Sequence, residues 1–167
     1  CIRDSRYYDR RYQALFGNAF SQGSTVQNEQ GVYMGLQLTP IARWKLSVYA
    51  DLFRFPWLKY GIDAPSGGQE YMAQIDYTPS RNYSAYLRYK YRQKEKNGTF
   101  ENDNLLRINS YKQHRIRFQQ VYNFSSPFIF KTSLDGILFD DPIKKLNKGI
   151  MISQSIGLSL IHISEPT

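Results

Sequence analysis

Between Trp44 and Leu52 the chain alternates without a break: Leu46, Val48, Ala50 and Leu52 take one parity, and Lys45, Ser47, Tyr49 and Asp51 take the other. Successive strand side chains point to opposite faces, so a period of two dictates a β-strand with one apolar and one wet face. Aromatic residues crowd its far end. Phe53, Phe55, Trp57 and Tyr60 gather around Pro56, which lacks the N–H that a ladder needs and so ends the strand.

The same beat recurs along the chain. Val32, Met34, Leu36 and Leu38 alternate with Tyr33, Gly35, Gln37 and Thr39, and Tyr71, Ala73, Ile75 and Tyr77 with Glu70, Met72, Gln74 and Asp76. The sharpest case sets Tyr83, Ala85, Leu87, Tyr89 and Tyr91 against Ser84, Tyr86, Arg88, Lys90 and Arg92. Further strands are expected over Tyr8 to Phe20, Tyr111 to Phe124 and Phe128 to Phe139, and from Ile150 onward. Ser21 to Glu29 and Asp140 to Lys148 read as polar loops, and Gly61 to Gln69 as a turn-rich segment with its turn at Gly67-Gly68. Gln93 to Ser110, long, charged and containing Asn97-Gly98, reads as a loop or a protruding hairpin tip.

These connections alternate between long and short. Long ones precede Gly31 and follow Phe55, Arg92 and Phe139, whereas tight ones sit at Pro40, Pro79 and Pro127. An up-and-down membrane barrel has short turns on one side and long loops on the other. The irregular Greek-key connections of a soluble sandwich impose no such rhythm. The expected fold is therefore all-β: an antiparallel up-and-down meander forming a partial outer-membrane β-barrel of about seven or eight strands. Composition agrees, since no apolar run approaches the roughly 18 residues of a membrane helix. Aromatic residues make up 16% of the chain, with 14 Tyr, a residue suited to interfaces by its apolar ring and polar tip.

Both ends read differently. LSLIHISEPT, Leu158 to Thr167, resembles the translated mosaic end and adapter of a transposase-based sequencing library, and Cys1 to Ser5 resembles the same mosaic end on the opposite strand. Residues 6–157 are then expected to be a barrel fragment, with 1–5 and 158–167 library-derived. Cys1 and His162 leave with the ends, so His114 stands as the single histidine. Arg3, Asp4 and Glu165 together carry −1, so the formal charge rises from +8 to +9.

Little in this segment points to catalysis. His114 with Asp135 or Asp141 would be a base and its orienter, but one histidine without a motif reads more simply as a rim or lumen side chain. No His or Cys pair offers metal ligands, Asp140 and Asp141 read as loop solvation, and Gly67-Gly68 lacks the strand-to-helix setting of a phosphate cradle. No catalytic residue, cofactor or metal is expected. The polar parity instead supplies candidate lumen-facing residues: Lys45, Tyr49 and Asp51, then Asp76, Arg88 and Lys90, then Arg115, Arg117, Lys131 and Asp135. Phe53, Phe55, Trp57 and Tyr60 are the candidate aromatic girdle. The competing reading is a soluble all-β module that binds polyanions, single-stranded nucleic acid in particular, through its basic face. Charges and most rings fall on opposite parities, Tyr86 excepted, so one face cannot supply both a charge track and a stacking platform.

The runs NEQGVYMGLQLTP, YADLFRFPWLKYGIDAPSGGQEY and YLRYKYRQKEKN resemble the C-terminal region of Bacteroidota helix-hairpin-helix domain-containing proteins, most strongly over Asn28 to Tyr71. That resemblance implies an integral outer-membrane barrel of a Gram-negative bacterium, with a pore or transport role open to it. Its implied partners are outer-membrane lipid and the remainder of its own barrel. The helix-hairpin-helix part has no counterpart here, so no DNA-binding role carries over to any residue.

Overall fold

The computed structural model describes residues 1–12, 20–23, 26–59, 62–100, 103–124, 128–141 and 146–158, without the side chains of 98–100 and 103–107. Eight strands follow in order: β1 (Ile2–Tyr8), β2 (Glu29–Ile41), β3 (Trp44–Phe55), β4 (Ser66–Ser80), β5 (Tyr83–Phe100), β6 (Asp103–Asn123), β7 (Phe128–Asp140) and β8 (Asn147–Leu158). Each pairs antiparallel with the next, giving one sheet in the order β1 to β8. This is the expected all-β meander, open at β1 and β8 as a partial barrel is.

Alternation fixes the faces, because directly paired residues share one. The pairs Val32–Leu52, Leu36–Val48, Leu46–Ile75, Ile75–Leu87, Leu87–Phe118, Phe118–Leu134 and Leu134–Ile152 carry one apolar face from β2 to β8. Its aliphatic residues lie open: Ile116 is 51% exposed and Ile152 70%. The opposite face holds the buried charges, with Glu29 and Asp51 fully enclosed.

Two of the turns at one end are two residues long, Ala42-Arg43 and Arg81-Asn82. Arg43 takes a positive φ (75°), as in the turn types that two-residue hairpins favour. Pro40 and Pro79 each fall in a register irregularity just before these turns, where a residue without an N–H interrupts the ladder at least cost. The third tight turn, at Pro127, lies outside the described residues.

Several boundaries differ from expectation. The first strand is Ile2–Tyr8, so the exposed residues Ile2 to Ser5 are paired and the strand stops where Tyr8 to Phe20 was expected to begin. Asp9 stops it: its carboxylate accepts Arg11 N–H (2.8 Å) and its carbonyl accepts Tyr12 and Asn28 N–H. Residues 13–19 lie outside the description. Beyond Arg92 the stretch is a hairpin and not a loop: β5 continues as its arm, with Asn97 paired to Ile108 and Gly98 to Arg107. A ladder needs only backbone groups, and a polar arm can extend beyond the part of the sheet with an apolar face.

Gly67-Gly68 is likewise strand, not turn. Arg6, Gly31, Phe53, Gly68 and Lys94 form one row across β1 to β5, large and absent side chains in turn. A Cβ on Gly68 would lie 2.5 Å from Phe53 Cζ and 2.6 Å from the Gln93 carbonyl oxygen. Gly68→Val should therefore destabilise the folded chain by about 1–3 kcal/mol, the usual cost of overpacking. Gly136→Ala, whose new Cβ would meet nothing nearer than 4.0 Å, should leave the urea midpoint almost unchanged.

Candidate functional site

The polar face is organised around carboxylates that several strands share. In the first group Arg6 of β1 donates through Nη1 and Nη2 to Asp51 of β3 (2.7 and 3.1 Å) and through Nε to Glu29 of β2 (2.5 Å). A planar guanidinium suits this two-sided task. The arrangement needs room over β2, and Gly31 gives it, since a Cβ there would lie 2.7 Å from Arg6 Cζ. The segment after Phe20 folds onto the same carboxylates: Ser21 Oγ (2.6 Å) and the Gln22 and Gly23 backbone N–H groups reach Glu29, and Gln22 Nε2 reaches Asp51 (2.8 Å). Lys94 Nζ holds the segment from β5 through the Gln22 carbonyl (3.1 Å).

Two further groups lie on β4 to β7. Glu70 accepts from Tyr49 Oη, Lys90 Nζ (2.7 Å) and Arg92 Nε. Asp135 accepts from Arg117 Nε (2.6 Å) and Arg115 Nη2 (3.3 Å). Arg88 donates to Gln74, whose amide in turn donates to Asp76. Buried or half-buried charge is tolerable only when paired in this way.

All ten candidate lumen residues share this face by register, from Lys45 opposite Asp76 to Lys131 opposite Val121. Tyr49 and Asp51, with Lys90, Arg115 and Arg117, join the carboxylate groups, and Arg88 reaches Gln74; Lys131 stands exposed and apart. The candidate girdle divides. Phe53 and Phe55 carry the odd parity of Asp51, so they are buried on the polar face with Ile62, beneath Lys94 and Lys59, and not on the apolar face. Burial there lowers the pKa of Lys59, whose Nζ sits 3.9 Å from the Phe55 ring centre. Trp57 is exposed under Arg10, and Tyr60 lies outside the described residues.

His114 belongs to the apolar face, where Nδ1 meets Tyr89 Oη at 2.8 Å. Asp135 is on the other side of the sheet, so the two do not form a base and orienter, and His114 does not share the face of the candidate lumen residues. Among the described residues no group of three His, Cys, Asp or Glu is placed to hold a metal ion.

Two aromatic rows escaped the sequence reading. On the apolar face at the short-turn end stand Trp44 against Tyr77 (4.4 Å between ring centres) and Tyr83 against Tyr122 (6.3 Å). Toward the long-loop end Tyr71 stacks on Tyr91 (6.2 Å), which meets His114 (4.9 Å). Parity already places these residues on that face; only register puts them at common levels. Arg6 and Glu29 were also missed. Counting the β2 alternation back from Tyr33 through Gly31 would have reached Glu29. Comparison with family models, curated proteins and solved structures finds no match for this chain.

Arg6→Met should leave Glu29 and Asp51 buried without their cation and cost about 3–5 kcal/mol in denaturant unfolding. Arg6→Met with Glu29→Gln and Asp51→Asn, which removes all three charges, should recover a large part of that loss in the same measurement.

Proposed function

We propose that this chain forms part of the wall of an outer-membrane β-barrel, with its apolar face toward lipid and its charged face toward a water-filled interior. The observation that carries the reading is the inversion of the usual order. Enclosed carboxylates with their paired cations lie on one face, and open aliphatic residues bounded by aromatic rows lie on the other. A water-soluble sheet would cover Leu87, Ile116 and Leu134 with a second layer; lipid would cover them here. Between Tyr77 and Tyr71 on β4, and between Tyr83 and Tyr91 on β5, the rows are six and eight residues apart. At about 3.3 Å per residue that is roughly 20–26 Å along the strands, which a tilt of about 40° turns into roughly 15–20 Å of height, the bulk of an apolar band about 25 Å tall. Strands β2 to β8 have 12 to 21 residues, enough for the roughly 9–11 that a crossing needs. The resemblance to Bacteroidota barrel regions points the same way. No catalytic role is proposed.

The placement of Trp44 allows a direct test. With Trp57 replaced by Phe, the full chain folded into vesicles should show Trp44 fluorescence strongly quenched by lipids brominated high on the acyl chain. A chain that keeps its strand signal as a monomer in water, with Trp44 unquenched when vesicles are added, would refute the membrane reading. It would favour a soluble module, as would tight, salt-dependent binding of single-stranded DNA.

A pore makes a second demand. If the chain, with whatever strands complete its barrel, conducts in planar bilayers, Arg88→Glu with Arg117→Glu should shift the reversal potential toward cation selectivity. An unchanged reversal potential would place these side chains away from the ion path.

A further inference from the structure

Where β5 and β6 pair, like charges oppose each other twice in succession on the polar face: Arg88 faces Arg117, and Lys90 faces Arg115. Directly opposed like charges in a strand pair repel. The sheet relieves the repulsion sideways, because Lys90 and Arg92 bond to Glu70 on β4 whereas Arg115 and Arg117 bond to Asp135 on β7. Cations drawn to opposite sides leave a cleft between them of about 190 Å³, lined by Lys90, Arg92, Gln113 and Arg115.

The lining is one-sided in its chemistry. It contains three cations and an amide, and no carboxylate. Arg92 bonds to Glu70 through Nε alone and Arg115 to Asp135 through Nη2 alone, so each guanidinium keeps N–H groups with no acceptor among the described residues. Gln113, directly opposite Arg92, adds an amide donor. The four cations bonded to Glu70 and Asp135, set against those two carboxylates, leave a local charge of +2. Donors converging from two strands on a space without acceptors complement an anion with several oxygens. At about 30 Å³ per water, the cleft holds a phosphate-sized ion together with some of its hydration.

We propose that this cleft is a binding site for a tetrahedral oxyanion of the phosphate class, held by Lys90 and Arg92 on β5 and by Arg115 on β6, with Gln113 completing the donor set. The proposal rests on the charged face being open to water, as the barrel reading has it, but requires no conduction. In a pore the site would act as a stopping point for anions along the wall.

The test is a titration of the full chain, folded into detergent micelles, with inorganic phosphate, followed by calorimetry and by phosphorus NMR linewidth. Saturable binding of one phosphate per chain is expected, displaced by sulfate but not by chloride at equal ionic strength. R115Q and K90Q should each weaken it at least tenfold, whereas K131Q, on the same face but outside the cleft, should change it less than twofold. If R115Q loses its strand signal, K90Q decides alone, since Glu70 keeps Arg92 and Tyr49. Absence of saturation in the folded chain, or equal weakening by K131Q and K90Q, would overturn the site. Phosphate binding by a chain that never conducts would sink the pore and leave the site standing; conduction without phosphate binding would do the reverse.

Discussion

A strand offers each side chain one of two directions, and this sheet uses that choice to separate charge from hydrocarbon across a single layer. With no second layer among the described residues, the two faces must be satisfied by different means. The polar face satisfies itself. Glu29 with Asp51, Glu70, and Asp135 each bind cations from neighbouring strands, so the ion pairs run across the sheet alongside the backbone ladder. The apolar face has nothing among the described residues to cover it; in the proposed membrane setting lipid would.

The ion groups differ in how far they are committed. Around Arg6 the three charged groups are enclosed, and the segment from Ser21 to Gly23 closes over them with donors of its own. Such a group fixes geometry: any one charge removed alone leaves the others uncompensated. Around Glu70 and Asp135 the cations are only partly covered and keep unused donors. One part of the face is thus locked, and the other keeps open donors, which the proposed oxyanion site would use.

Much of this was legible in the sequence, because alternation is local. The runs around Leu46, Ile75 and Leu87 gave both the strands and their facing, and Pro56 marked the end of β3 correctly. What local pattern could not supply was level along the strand. Trp44, Tyr77 and Tyr122 are far apart in sequence and become one aromatic row only through pairing. Phe53 and Phe55 looked like a girdle because they cluster in sequence, yet their odd parity already set them with Asp51. Arg6 was unreadable for another reason: its partners lie 23 and 45 residues away, and its own strand is too short and polar to announce itself.

Alternation has a blind spot that the row of Arg6, Gly31, Phe53 and Gly68 removes. A slip of one residue turns every apolar side chain of the strand to the polar face and is strongly opposed, but a slip of two restores the same facing and costs the pattern nothing. Between β3 and β4 such a slip would set Phe53 opposite Ser66 or Glu70, and the ring would lose the space that Gly68 leaves it. Between β1 and β2 it would bring a side chain, from Glu29 or Tyr33, into the place where Gly31 now leaves room for the guanidinium. The two glycines therefore act as index marks. They let a chain built from a repeating two-letter rhythm settle into one alignment among several that the rhythm alone would accept.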